Sequence, residues 1–541
     1  MNIGQYLIKR LQQIGLKHVF GIPGDYVLGF YDQLVDSPIK VIGTCSEIGA
    51  GFAADAYARV NGLGAVCVTY CVGGFNVLNA VAGAYAEKSP LVIISGAPGM
   101  AERRRTPNMH HRVGNFNTQQ SIFEKVTVAS VAIEDAGLAP TQIDHTLSAC
   151  LQHKRPVYIE LPRDMVHVPC PAPRGPLAHV AYRSNSNALK EALLESHAML
   201  AAARQPVILA GVEIHRYGLQ QRLVRLVEKT GYPVAATLLG KSVISETHRQ
   251  YAGIYVGAMG KQPVRKLVEQ ADCLLMLGVF MTDINLGINT AQLNPQRSVQ
   301  INEGLVTIKH HHYADIRLED MIRGLTKFPL KAARRRWPAP TLPQAFKSIA
   351  KKNITVNRFF ARLNHFLGPK NVVICDIGDS LLGAADLTIH RRTEFISPAY
   401  YTSMGFAVPA AIGAQMRNPK LRPVVFVGDG AFQMTGQEIS TIARYGLNPI
   451  IFVLNNKGYT TERFIHDGPY NDIHEWAYHL WPQIVRKGWG CEVHTEGELE
   501  DALRQARLNS TSFSLINVQL DPFDHSDALL RLGRAMGKNI K

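Results

Sequence analysis

This chain of 541 residues lacks several things. No stretch approaches about 18 uninterrupted apolar residues, so no membrane-spanning helix is expected. The opening "MNIGQYLIKRLQQIGLKHVFGIPG" has no apolar leader core or small-residue cleavage site and reads as a helix running into a strand. No Cys-x-x-Cys pair of metal-binding type occurs. The eight cysteines are scattered, mostly in apolar runs such as "AVCVTYC" and "VVICDIGD". They are expected to be reduced core thiols of a cytoplasmic protein. Basic residues exceed acidic ones, for a net charge of +15, but no basic stripe interleaved with aromatics is present. The short runs Arg103–Arg105 and Arg334–Arg336 do not make one. A nucleic-acid partner is therefore not expected, and a field that attracts anionic small molecules explains the charge as well. "HHH" at 310–312 has no carboxylate or cysteine at ligand spacing and is expected to be loop.

What is present is a repeated alternation of short apolar strands and longer amphipathic helices. "HVFGI", "GAVCVTY", "LVIISGAP", "QPVILAGVE", "DCLLMLGVF", "PVVFVGDGA" and "NPIIFVLNN" are continuously apolar rather than alternating. Strands of that kind are buried on both faces, which implies parallel sheets covered by helices. Two proline-rich stretches, "PRDMVHVPCPAPRGP" and "LKAARRRWPAPTLPQAF", read as linkers. They divide the chain into three α/β domains, expected over residues 1–172, 185–330 and 352–541. In open sheets of this type ligands sit beyond the carboxyl ends of the strands.

The third block has the most specific pattern. A strand ends in Gly428-Asp429-Gly430, a helix follows, and a second strand ends in Asn455-Asn456-Lys457-Gly458. A right-handed crossover brings the second strand beside the first, so Asp429 and Asn456 converge. A carboxylate with a carboxamide suits Mg²⁺, which shares oxygen ligands with phosphates. Gly430 lets the backbone approach a phosphate, and the helix that follows it offers free N–H groups. In the first block, Glu47 stands at the head of "EIGAGFAADAYAR". Paired histidines, His110 and His111, lie in "TPNMHHRVGNF", and only a turn can aim such neighbours at one site.

This pattern resembles the thiamine diphosphate-dependent enzymes, whose cofactor signature is GDG followed by NN at this distance. The resemblance covers essentially the whole chain. It implies pyrimidine-binding, central and diphosphate-binding domains, with thiamine diphosphate and Mg²⁺ as cofactors. The metal would be held by Asp429, Asn456 and the backbone of Gly458. Gly428, Gly430, Ala431 and Met404 would complete the cofactor cradle, and Glu47 would meet the aminopyrimidine ring. "GIPGDY", "MHHRVGNF" and "NNKGYTTE" are similar to the 2-oxo acid decarboxylase branch, which includes pyruvate, phenylpyruvate and indolepyruvate decarboxylases. That resemblance assigns proton transfer to Asp25, His110, His111 and Glu462. It implies non-oxidative release of CO₂ and an aldehyde from a 2-oxo acid. An acetolactate synthase-like carboligase is the alternative, disfavoured by the histidine pair and Glu462. It also implies a homodimer or homotetramer with sites between subunits. Asp379, Thr461 and Tyr401 stand where the pyruvate enzymes carry threonine, isoleucine and tryptophan. With Ile465, they suggest a wider pocket for aromatic, branched or medium-chain acids.

Overall fold

The computed structural model describes residues 1–105, 108–177, 182–330, 332, 345–390 and 395–536. Most of the second expected linker, with Arg334–Arg336, lies outside the described residues, as do Thr106 and Pro107 beside the histidine pair.

Three sheets follow one another along the chain. The first holds β1 (His18–Gly21), β2 (Lys40–Gly43), β3 (Gly64–Val68), β4 (Leu91–Ala97), β5 (Ser130–Ala132) and β6 (Val157–Pro162). Its order is β2-β1-β3-β4-β6-β5, parallel throughout. The second holds β7 (Pro206–Ala210), β8 (Val234–Thr237), β9 (Tyr251–Tyr255), β10 (Cys273–Leu277), β11 (Ser298–Asn302), β12 (Leu305–Ile308) and β13 (His311–Ala314). The third holds β14 (Asn371–Cys375), β15 (Phe395–Ile396), β16 (Arg422–Gly428), β17 (Ile450–Asn455), β18 (Trp489–Val493) and β19 (Ser514–Gln519). Its order is β15-β14-β16-β17-β19-β18, again parallel. Every residue of β3, β4, β7, β10 and β17 is buried, as continuous apolar strands between helix layers require.

The second sheet departs from the expectation of purely parallel pairing. β12 and β13 add to its edge as an antiparallel meander on β11. The histidine tract is therefore not loop, because His311 and His312 lie in β13. His311 bonds Glu195 at 2.9 Å and His312 bonds Thr307 at 3.1 Å. A polar, solvent-facing edge strand carries little apolar signal, which is why this one reads as loop in sequence.

The first and third sheets are joined by two small-residue helices. The helix Glu47–Asn61 is capped by the Ser46 side chain, which accepts from Gly49 N, and is ended by Gly62 at φ 87°. Its residues 49–58 are all buried. It packs on the helix Ala407–Arg417, whose residues 407–415 are also buried. Gly413 permits the approach: a Cβ there would lie 1.8 Å from Ala53 O. Glu438 secures the same junction, accepting from the N–H groups of Cys45 and Ser46.

Candidate active site

The residues singled out from sequence lie at or just beyond the carboxyl ends of strands, and they form two groups. Asp25 follows β1, and the histidine pair follows β4. His110 and His111 sit on a turn closed by Arg112 N donating to Met109 O at 3.3 Å, with His111 at φ 65°. His110 Nε2 lies 2.8 Å from Asp25 Oδ2. The His110 ring stacks on Tyr26 at 4.8 Å and meets His111 edge-on at 4.8 Å. Tyr26 is fully buried, and its hydroxyl donates to the His110 carbonyl at 3.2 Å, so the turn is held from below. Arg163 approaches Asp25 to 3.8 Å and also pairs with Glu102. The cluster opens to solvent, with the Asp25 and His110 side chains 41% and 58% exposed. His111 Nδ1 is buried and meets no partner.

Glu47 begins the helix after β2, where the helix N-terminus favours a carboxylate. It accepts from Asn76 Nδ2 at 2.6 Å.

The second group lines a cavity of about 380 Å³ in the third domain. β16 and β17 pair in parallel with Gly428 opposite Leu454, which sets Asp429 beside Asn455 and Asn456. Asp429 Oδ1 accepts from Gly430 N at 2.8 Å and Oδ2 from Gly458 N at 3.1 Å. Burial pushes the Asp429 carboxyl up to about 7. The side-chain oxygens of Asn455 and Asn456 are buried with no donor. A carboxylate at a desolvation cost beside an unsatisfied carboxamide oxygen suits a hard cation, which would satisfy both. Gly458 has φ 149°, and a Cβ on it would lie 2.1 Å from Asn471 O. A Cβ on Gly430 would strike the Tyr459 ring at 2.4 Å, so both glycines are needed.

Gly428, Asp429, Gly430, Ala431, Asn456, Gly458, Met404, Asp379, Thr461 and Glu462 all line this cavity. Met404 sits in a turn between Thr402 at φ 57° and Gly405 at φ 84°. Asp376 grips that turn, accepting from Gly405 N at 3.1 Å and Ala407 N at 2.9 Å. Two expected pocket residues are not among the lining. Tyr401 turns toward the helix Val72–Ala86, bonding Asn79 at 3.1 Å and packing over Gly83. Ile465 ends the short helix Thr460–Ile465, one turn beyond Thr461, and is not among the residues that line the cavity. Every described lining residue falls between 356 and 520, so Asp25, Glu47 and the histidines stand outside the cavity of their own chain. Sequence reasoning missed Asn76, Tyr26, Arg163 and Asp376. Only Tyr26 had a signal, its place next to Asp25.

The three-sheet fold, the glycine-cradled Asp429–Asn456 pair and the acid-facing helix start define a cofactor enzyme, and the chain belongs to the thiamine pyrophosphate enzymes. Residues 1–122 match the N-terminal TPP binding domain of that family, 194–326 its central domain and 376–518 its C-terminal TPP binding domain. Over 98% of its length it is 34% identical to indole-3-pyruvate decarboxylase of Azospirillum brasilense, covering 97% of that protein. It is 33% identical to a probable pyruvate decarboxylase of Schizosaccharomyces pombe, over 99% of this chain and 96% of the other. It is 34% identical to an alpha-keto-acid decarboxylase of Mycobacterium tuberculosis, over 96% and 94%. Among the described residues no helix is long and apolar enough to cross a membrane.

Proposed function

We propose that this chain is a thiamine diphosphate-dependent decarboxylase that converts 2-oxo acids to aldehydes and CO₂, with a preference for acids larger than pyruvate. The observation that carries the reading is the His110–Asp25 contact on a solvent-open turn of a thiamine pyrophosphate enzyme. It supplies proton carriers where a carboligase needs a second carbonyl compound instead.

Mg²⁺ would be held by Asp429, Asn456 and the Gly458 backbone, and the diphosphate would lie against Gly428–Ala431. Glu47 would hold the aminopyrimidine ring, with Asn76 fixing its carboxylate. Once bound, the cofactor supplies the nucleophilic carbon and the electron sink for the pair released with CO₂. Protein groups then handle protons. Asp25 and His110 exchange one across their 2.8 Å contact, His111 relays from the buried side, and Glu462 presents a second carboxyl at the cavity wall. The basic surface draws in the anionic substrate.

Because Glu47, Asp25 and the histidines stand outside the cavity of their own chain, two subunits complete each other's sites. A homodimer is the smallest active unit, and a homotetramer is the next assembly of that symmetry. The eight free thiols, six of them buried, suit a reducing compartment such as the cytoplasm. Thr461 in the cavity wall leaves room that an isoleucine would fill, which supports the preference for aromatic, branched or medium-chain acids.

The test is aldehyde release with Mg²⁺ and thiamine diphosphate, coupled to an NADH-consuming alcohol dehydrogenase. Pyruvate, a branched acid, a long-chain acid, phenylpyruvate and indolepyruvate are compared for wild type and His111→Ala. Aldehyde from the larger acids, lost in the variant, supports the reading. Hydroxyketone as the main product would hand the case to the carboligase.

A further inference from the structure

Asp379 lines the cavity, yet its carboxylate is already engaged. Oδ2 accepts from Ser526 N at 2.7 Å, and Oδ1 accepts from the Ser526 hydroxyl. Asp379 is 8% exposed and Ser526 is 3% exposed, so water competes little for these bonds. Ser526 is also the cap of the C-terminal helix Asp527–Met536: its Oγ accepts from Leu529 N at 3.0 Å. One hydroxyl thus donates to the cavity wall and accepts from the helix. The helix start is tied a second time, to the segment at Val356, which also lines the cavity. Val356 N donates to Asp524 at 2.6 Å, and Asp527 N donates to Asn357 at 3.0 Å.

The C-terminal helix in turn braces the short helix that carries Thr461 and Glu462. The Phe464 ring meets His525 edge-on at 4.6 Å and lies 3.6 Å from where a Cβ on Gly533 would be. Leu529 is fully buried in the same layer. On its far side Arg531 donates to Met259 O of the central domain at 2.6 Å. A path of direct contacts therefore runs from Asp379 through Ser526 and the C-terminal helix to Phe464, two residues from Glu462.

We propose that Asp379 is a positioning residue, one that sets which 2-oxo acids fit by fixing the C-terminal helix through Ser526 rather than by touching the substrate. This rests on the decarboxylase reading above. With each oxygen already accepting from Ser526 and the residue 8% exposed, Asp379 is turned toward the helix rather than toward a ligand. Its loss instead frees the start of a helix that supports the wall bearing Thr461 and Glu462. Ser526, absent from the cavity lining, then controls substrate choice as strongly as Asp379 does.

The experiment compares wild type, Asp379→Asn, Ser526→Ala and the double variant as full-length holoenzyme. kcat and KM are measured for a series from pyruvate to phenylpyruvate. Hydrogen exchange of amides 527–536 and thiamine diphosphate affinity are read alongside. Both single variants should change the phenylpyruvate-to-pyruvate ratio of kcat/KM by about tenfold in the same direction. The double variant should change it no further, since the two act on one link. Exchange in the helix should rise about tenfold or more, with cofactor affinity kept. A ratio altered by Asp379→Asn but not by Ser526→Ala would mean direct substrate contact and would overturn the proposal. So would an unaltered ratio in both, or unaltered exchange. Absence of aldehyde from wild type with every acid would sink the decarboxylase reading instead, and the exchange arm would still test the tie to the helix.

Discussion

His110 Nε2 and Asp25 Oδ2 lie 2.8 Å apart although they are 85 positions apart in sequence. Tyr26, next to Asp25, is stacked under the histidine and fixes its orientation. The pair is thus oriented before any substrate arrives, and a general acid or base so placed contributes about 100- to 10,000-fold. Asp25→Asn keeps the shape and removes the proton acceptor. Its kcat for aldehyde release should fall within that range while thiamine diphosphate affinity stays near wild type. A variant with kcat within about threefold of wild type would remove Asp25 from proton transfer.

Asn456 presents a buried oxygen that no protein donor satisfies. Such a group costs stability in the apoprotein and is recovered when a cation binds. Asn456→Ala should therefore weaken Mg²⁺ binding in the presence of thiamine diphosphate by about 100-fold, a loss of about 3 kcal/mol by the usual conversion. The apoprotein should melt no lower than wild type, because the truncation removes an unsatisfied atom. Titration calorimetry and thermal unfolding without cofactor read the two effects separately. Lost apo stability with unchanged Mg²⁺ affinity would mean that Asn456 serves packing alone.

Burial raises the Asp379 carboxyl from its ordinary 3.8 to about 6, against the opposing bonds from Ser526. The native protein therefore holds this proton more tightly than the unfolded chain does. Stability from this group is gained as pH falls from about 6 to about 4, and it is absent above the native value. Two units correspond to about 3 kcal/mol. Asp379→Asn cannot titrate, so wild type should gain about 3 kcal/mol relative to the variant between pH 7 and pH 4. Denaturant unfolding of both proteins at several pH values measures the difference. A difference independent of pH would mean that the carboxyl is ionised throughout.

Much of this was legible beforehand because the chemistry of the third domain is local. Asp429 and Asn456 are joined by one crossover, and β16 and β17 do pair as that connection requires. Continuous apolar strands announced the parallel-rich sheets. The edge strand β13 was not legible, since an exposed polar strand carries no burial pattern. Nor was the engagement of Asp379 by Ser526, a contact spanning 147 positions. Tyr401 read as a pocket residue from its place in the chain, but Asn79 and Gly83 turn it toward another helix. Long-range pairings of single polar groups leave no periodicity to read.

Gly413 tests how the first and third domains are joined. A Cβ there would sit 1.8 Å from Ala53 O and 2.8 Å from Tyr57 N, both backbone atoms of the facing helix. Neither can swing aside as a side chain would, so the two helices must separate. Overpacking of this kind costs about 3 kcal/mol. Gly413→Ala should lower the melting temperature by several degrees and reduce soluble yield, whereas Gly→Ala in a free helix interior stabilises. An unchanged melting temperature would mean that the helices are not in such close contact.

Thr461 faces the cavity one residue before Glu462, and its hydroxyl oxygen is 3.2 Å from where a Cβ on Gly378 would stand. Gly378 and Thr461 both line the cavity, so bulk added at Thr461 takes up space within it. Thr461→Ile therefore narrows the space available to the substrate side chain without altering Glu462 itself. A contact changed by one or two carbon atoms in such a pocket is worth about 1–3 kcal/mol. The kcat/KM for phenylpyruvate should fall about tenfold or more, with pyruvate unchanged or improved. The effect should lie in the ratio between acids, because the proton transfer proposed for Glu462 would serve all of them alike. An equal loss for every acid would place Thr461 in support of Glu462, and the size of the pocket would then be set by other residues.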